Sequence, residues 1–205
     1  MVGAGATGVE FSAECHDLIR DLSKNFPPEI MEEVSMTVIE AGSTVLSAFD
    51  SSLQRYTQKF FRRNHIKIRT NQQVKEIISP NSLMLQDGSI VECGMIIWSA
   101  GIKPRQLEVS QGRLLPVDSK TKKIFVDDHL HVKGFDNIFA MGDVSLIENV
   151  PLAATAQVAQ QQGLYLARRL NGEIESTKPF VYHHMGQLAY IGNYRAISQV
   201  GAVKR

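Results

Sequence analysis

The sequence predicts an α/β fold built on a parallel sheet, and three observations predict it. The chain opens "MVGAGATGVE", with Gly3, Gly5 and Gly8 in G-x-G-x-x-G spacing and a helical run directly behind. Strand-like and helix-like hydrophobic runs then alternate along the chain, as they do where crossover helices join parallel strands. Three of the strand-like runs, "MTVIEAG", "GMIIWSAG" and "NIFAMGD", close on a glycine or an acid.

Only Met1 and Val2 precede the first glycine, so little of the strand that should feed such a turn is present. "VEFSAECHDLIRDLSK" reads as a helix. Phe11, Cys15, Leu18 and Leu22 fall at three- and four-residue steps, with Val9 and Ala13 alongside, and form its expected core face. The helix should end before "FPPE", where two prolines break it. "MTVIEAG" follows as a short strand.

"SLQRYTQKFFRRNHI" has helical spacing through Leu53, Tyr56 and Phe60. "KIRTNQQVKEIIS" and "SLMLQDGSIVECGMIIWSAG" read as strands, with a hairpin at "QDGS" because Asp-Gly takes positive φ cheaply. "GMIIWSAG" resembles a buried parallel strand that ends in a glycine turn. This order fits one nucleotide-binding domain over residues 1–105.

"KIFVDDHLHV" and "NIFAMGD" read as two further strands around a turn at Gly134 to Asn137. "PLAATAQVAQQQGLYLARRLNG" is a helix with proline at its start, Arg168 and Arg169 in its last turn and Gly172 just past its end. These elements define a second segment, 106–172. In 173–205, "FVYHHMGQLAYIGNYRAISQV" gives two short strands that begin a further region.

Composition bounds the function classes. The 205 residues can bury one substantial core or two small ones. Hydrophobic residues at 43%, charged residues at 21% and a net charge of +1 are ordinary for a globular chain, and that total gives no electrostatic argument for nucleic acid. Cys15 and Cys93 form no C-x-x-C or longer redox pair, so neither a dithiol mechanism nor a thiolate metal site is supported. Adjacent His183 and His184 would face opposite ways on a strand, which argues against a metal site there. No signal peptide and no apolar run of membrane-spanning length is present in these residues.

The opening glycines would let backbone N–H groups approach a pyrophosphate at a helix N-terminus. Glu40, at the end of "MTVIE", would accept hydrogen bonds from adenine-ribose hydroxyls and repel a 2′-phosphate. No arginine stands between Ala41 and Leu46 to neutralise one, so NADH is expected rather than NADPH. Glu40 lies 32 residues after Gly8 because "NFPPEIMEE" is inserted before the strand. Asp143, after Gly142 at another strand end, is either a helix cap or an acceptor for a ribityl hydroxyl.

Four motifs in this order resemble a known family. "SAGIKP" and "IFAMGD" are similar to the NAD-domain and FAD-contact turns of two-dinucleotide-binding-domain flavoproteins. "AQVAQQQG" (Ala156 to Gly163) and "GQLAYIGNYRA" resemble segments of type II, non-proton-pumping NADH:quinone oxidoreductases, and the insertion before Glu40 is more like the eukaryotic mitochondrial members. The resemblance implies a Rossmann-like NADH domain plus part of an FAD domain, with FAD and NADH as cofactors. It implies that Gly3, Gly5, Ala6, Gly8 and Glu40 bind NADH, with Ala100 and Gly101 near the nicotinamide half. Glu10 matches a carboxylate beside nicotinamide and flavin, although an acid early in a helix also has a bland role against the helix dipole. Gly142 and Asp143 would meet the flavin ribityl chain, and the helix start after Pro151, at Ala156, its pyrimidine edge.

Gln157 and Gln161 share a helix face, and the resemblance points their amides at a quinone carbonyl; on spacing alone the better reading is a polar exposed face. The implied reaction is a ping-pong hydride relay with no metal, NADH C4 approaching the flavin at about 3–3.5 Å and two electrons passing on to ubiquinone. Peripheral attachment to the mitochondrial inner membrane and a homodimer are compatible with the family. Members carry another G-x-G-x-x-G turn for FAD and a C-terminal membrane segment; neither occurs in these residues, so the chain is expected to be a fragment that binds NADH weakly, holds FAD poorly and is inactive alone. A non-catalytic NAD-binding fragment and a soluble FAD-dependent pyridine-nucleotide reductase remain as alternatives.

Overall fold

In a computed structural model, residues 1–105, 115–148, 150–201 and 203–204 are described. The chain divides into two compact units. Met1–Gly101 with Gly186–Arg205 forms the first, and Ile102–Met185 the second.

The first unit is built on parallel pairing. Strand β1 (Met36–Ile39) pairs with β2 (Ile66–Arg69), Met36 opposite Ile66. On the other side of β1, Val2 bridges both Ile39 and Trp98 in parallel. Gly3 N–H donates to Ile39 O (2.8 Å), Val2 N–H to Ile97 O (2.8 Å) and Ser99 N–H to Val2 O (2.9 Å). Two residues are thus enough to insert the opening segment as the central rung. Side chains alternate across the sheet. Val38 faces the helical side, where α1 (Ala6–Leu22) and α3 (Ser51–Arg63) contribute Val9, Ala13, Leu53 and Phe61 to one core. Ile39 and Val2 face the opposite side and pack on Leu83 and Leu85. Those leucines belong to β4 (Ser82–Leu85), the centre of an antiparallel meander with β3 (Val74–Ser79) and β5 (Ile90–Glu92). The expected "QDGS" hairpin turn is present, with Gly88 at φ +83° and Asp87 Oδ1 accepting from Ser89 N–H.

Several expectations are corrected. The core face of α1 is only partly the spacing-based one: Val9 and Ala13 are buried as expected, together with Gly8, Ser12 and Asp17, whereas Phe11 is 42%, Leu18 57% and Leu22 41% exposed. Small residues face inward because a second layer lies close on that side. This layer is the antiparallel pair β8 (Gln187–Gly192) and β9 (Arg195–Val200), extended by β10 (Val203–Lys204). Ala189, Ile191 and Ile197 of this hairpin enter the α1 core, and Gly192 leaves room for Ala13, whose methyl stands 3.5 Å from a hypothetical Cβ there. Helix α1 does end before "FPPE", as expected. Pro28 occupies the first turn of a short helix, α2 (Pro28–Glu33), where a missing N–H costs nothing. The "GMIIW" run pairs in parallel as expected but is not buried: Met95 is 72% and Trp98 51% exposed, and only Val2 pairs with it among the described residues.

In the second unit, β6 (Ile124–Val126) pairs in parallel with β7 (Ser145–Ile147). "NIFAMGD" is not a strand. It makes a single antiparallel bridge, Phe139 to His131, before Gly142 turns the chain at φ +71° into a 3-10 turn, Gly142–Val144. Helix α4 (Ala156–Leu170) begins five residues after Pro151, because Thr155 supplies an N-cap whose hydroxyl accepts from Val158 N–H. Its end is as expected. Gly172 is left-handed at φ +73°, and Gly172 and Glu173 N–H groups return to Arg169 and Arg168 carbonyls. Residues 180–186 carry no strand, and His183 and His184 are both exposed there.

Candidate nucleotide and flavin sites

The opening turn owes its shape to contacts that leave one place open. A Cβ on Gly8 would stand 2.0 Å from Gly3 O and 2.8 Å from Ser99 Oγ, so only glycine lets α1 start against the strand end. Gly3 adopts φ +97°, and a Cβ there would meet Ala100 at 3.0–3.1 Å. The "SAG" turn is thereby pressed onto the glycine turn. Ser99 Oγ ties the two by donating toward Val2 O (3.0 Å) and Gly3 O (3.3 Å), and Trp98 Nε1 caps Ala100 O at 2.7 Å. Around Gly5, by contrast, nothing lies within 4 Å of a built Cβ, and Ala6 is exposed. Here the first N–H groups of a 17-residue helix open outward, with no side-chain cap and no acid in the first turn. A phosphate fits such a place because helix-terminal N–H groups lack internal partners and carry positive partial charge.

Glu40 lies at the rim of the same turn. Its Oε2 accepts from Ala4 N–H and its Oε1 from Gly42 N–H, both at 2.7 Å. Each oxygen keeps a lone pair for a further donor, and the fixed negative charge stands beside the glycine turn. Gly3, Gly5, Ala6, Gly8, Glu40 and Ala100 are thus brought together in the first unit, with Gly101 at φ +77° following Ala100.

Glu10 does not lie in the first turn of α1, so the bland helix-dipole role is not available to it. Its Oε1 accepts from the N–H of Tyr190 at 3.2 Å, on the β8 edge that faces α1. Two turns further along the helix, Tyr190 Oη donates to Asp17 Oδ2 at 2.6 Å. One tyrosine therefore brackets α1 through both its main chain and its phenol. Asn193 N–H (2.9 Å) and Arg20 (3.1 Å) complete the surroundings of Asp17. Burial pushes the Asp17 carboxyl upward, but donation from Tyr190 and Asn193, with Arg20 and His16 nearby, outweighs this and holds it below the usual carboxylate range. The same bond to Asp17, together with burial, holds the Tyr190 phenol above its ordinary value.

In the second unit the Gly142–Asp143 turn is fixed by α4. Gly142 N–H donates to Oε1 of the buried Gln162 at 2.6 Å, Ser145 Oγ returns to Gly142 O, and Ala159 lies under Gly142. Asp143 is left exposed at the turn, an oxygen acceptor suited to a sugar-chain hydroxyl. Ala156 is exposed at the start of α4. Gln157 and Gln161 share a face, as their spacing predicts, and both reach the 182–185 segment. Gln161 grips the His183 main chain at both ends of its amide (2.8 and 2.9 Å), while Gln157 Oε1 accepts from Met185 N–H and Tyr182 Oη.

Sequence reasoning passed over Ser99, Asp17, Tyr190 and Gln162. Gln162 stands inside the quoted "AQVAQQQG", and a glutamine one step off the exposed face was the available signal. Nothing local marks Asp17 or Tyr190, whose partners lie 173 positions apart. Cys15 and Cys93 are free and half-buried.

Comparison with known proteins bears on the fold and the family. The pyridine nucleotide-disulphide oxidoreductase family matches residues 1–163. A probable NADH dehydrogenase of Dictyostelium discoideum is 37% identical over 204 residues, covering 97% of this chain and 44% of the relative. A probable mitochondrial NADH-ubiquinone oxidoreductase of Schizosaccharomyces pombe is 35% identical over 242 aligned positions, covering 98% of this chain and 43% of its own length. The chain thus spans under half the length of these curated relatives. Among solved structures, NDH2 from Plasmodium falciparum in complex with NADH superposes with a TM-score of 0.84 at 22% identity, over 99% of this chain and 57% of that one. A ferredoxin reductase from Rhodopseudomonas palustris gives 0.71 at 21% identity, over 98% and 47%. The two-dinucleotide-binding flavoprotein fold follows from the glycine turn, the parallel pairing and these superpositions. The chain belongs to the pyridine nucleotide-disulphide oxidoreductase family.

Proposed function

We propose that the chain forms the NADH-binding part, and a share of the FAD-binding part, of an NADH:ubiquinone oxidoreductase of the non-proton-pumping type. The observation that carries this reading is Glu40, pinned by two main-chain N–H groups at the rim of an open glycine turn. A fixed carboxylate there accepts ribose hydroxyls and repels a 2′-phosphate, which selects NADH. Residues 1–105 then serve as the NADH domain and 106–172 as part of the FAD domain, while of 173–205, expected as a separate region, Gly186–Arg205 packs with the NADH domain in the first unit.

In this reading the first N–H groups of α1, around Gly5 and Ala6, hold the pyrophosphate. Ala100 and Gly101 stand toward the nicotinamide, and Glu10, kept in place by Tyr190, lies beside it. Asp143 accepts a hydroxyl of the flavin side chain, with Gly142 and the α4 start at Ala156 around it. Bound FAD supplies the two-electron chemistry, taking hydride from NADH and delivering electrons to quinone. Gln157 and Gln161 form the wall toward the quinone, and their hold on residues 182–185 keeps that wall in shape. The relatives named above include a mitochondrial protein. Peripheral attachment to the inner membrane and a homodimer belong to the same proposal.

An NMR titration of the chain with NADH tests it. The amides of Ala4, Gly5, Ala6 and Gly42 should move first and furthest. Shifts confined to other residues, or none at saturating NADH, would overturn the assignment.

A further inference from the structure

The β8–β9 hairpin closes through a two-residue loop, Asn193 and Tyr194, with Gly192 paired to Arg195. Both loop residues are left-handed, at φ +53° and +56°. A two-residue hairpin loop of this kind demands positive φ at both positions. Asparagine accepts that conformation, whereas a bulky tyrosine is a costly occupant. Tyr194 is nevertheless held there, 95% exposed. Backbone kept in a sparsely populated region gathers at binding sites, where the side chain has a task.

The loop is tied down from three directions. Asn193 N–H donates to Asp17 Oδ2 (2.9 Å), Asn193 Nδ2 to Asn64 Oδ1 at the end of α3 (2.8 Å), and Tyr194 N–H to Tyr190 Oη (3.2 Å). Arg195 is thereby set on α3, where it donates to Tyr56 Oη at 3.3 Å across 139 positions of sequence. Its guanidinium lies 5.8 Å over the Phe60 ring, which stacks with Tyr56. Arg195, Lys59 and Arg63 line one cleft of about 390 Å³. Among the described residues, none of these three cations has a carboxylate within ion-pair distance. Arg63 lies in the last turn of α3, where a cation suits the helix dipole. That gives no reason for Arg195, which comes from another element. Like charges so gathered repel one another, and a bound polyanion relieves the repulsion.

We propose that this cleft binds a nucleoside polyphosphate, at a place apart from the glycine turn. Guanidinium and ammonium groups brought from two elements match phosphate oxygens. Tyr56 lines the cleft, and Tyr194 projects between two of its lining residues, Asn193 and Arg195. Such rings offer a face on which a base stacks, whatever its hydrogen-bonding edge. The volume is within the range of small-ligand sites, about 300–1,000 Å³. All these residues belong to the first unit. Binding there needs no NADH, flavin or quinone, so it fails separately from the function proposed above.

The test is an NMR titration of the whole chain with GTP and, in parallel, with inorganic tripolyphosphate. GTP should move the amides of Asn64, Asn193, Tyr194 and Arg195. Tripolyphosphate should bind at the same place about 10-fold more weakly, for want of a base. Arg195→Gln should weaken both ligands about 10-fold or more, while the thermal midpoint stays near wild type. Tyr194→Gly removes the ring in a loop that glycine accepts, and should bring GTP down to the tripolyphosphate level. Lys59→Gln serves if Arg195→Gln does not fold. No shift with GTP, or shifts at Ala4, Gly5 and Ala6 instead, would overturn the proposal. Tripolyphosphate binding as tightly as GTP, or a cation variant that binds like wild type, would do so too.

Discussion

Gly8 occupies a position where main chain meets main chain. A methyl there would sit 2.0 Å from a carbonyl oxygen of Gly3, and no rotamer change can relieve a clash with backbone. Gly8→Ala should therefore cost about 3 kcal/mol or more, read as a lowered urea midpoint by circular dichroism; a change within about 0.5 kcal/mol would refute the close approach. The Tyr190 bracket makes a second residue-scale prediction. Tyr190→Phe removes the donor to Asp17 and should cost about 1–3 kcal/mol, since the acceptor is charged and buried. Because the native Asp17 carboxyl is held below its unfolded value, its contribution is complete above about pH 4. It is lost as pH falls toward the lowered native value. Stability measured from pH 6 downward should fall less steeply in Asp17→Asn than in wild type. An unchanged slope would contradict the assignment.

Elements show what local spacing can and cannot carry. Helix α4 depends on Gln162, whose buried amide accepts from Gly142 N–H. Gln162→Leu should destabilise by about 1–3 kcal/mol by leaving that N–H unpaired, whereas a neutral outcome in chemical denaturation would argue that the turn is held otherwise. Most helices, the meander turn and the Schellman end of α4 were legible because each is set by residues within a few positions. The face of α1 was legible only in part. Its most apolar stripe, Phe11, Leu18 and Leu22, lies outward, while Asp17 is buried because β8 and β9 arrive from residues far along the chain with a tyrosine and a free main-chain N–H. Likewise the isolated Trp98 bridge reflects how little chain pairs beside it, which its own hydrophobicity cannot reveal.

For the molecule as a whole, the glycine turn and Glu40, which the proposal gives to NADH, were legible as neighbours because glycine turns and strand-end acids obey local rules. The supporting contacts, Ser99 on Gly3 and Glu10 on Tyr190, cross 96 and 180 positions and had no local signal. Only one G-x-G-x-x-G turn occurs in these residues, so the purified chain should retain FAD well below one equivalent by absorbance, and stoichiometric, tightly held FAD would refute this. The central claim is that the opening turn with Glu40 holds NADH. Calorimetric binding of NADH and NADPH to the same chain tests it most directly. NADH should bind, and NADPH about 10-fold or more weakly because its extra phosphate meets a fixed carboxylate, with Glu40→Gln narrowing the gap. Equal affinities, or tighter binding of NADPH, would contradict the account.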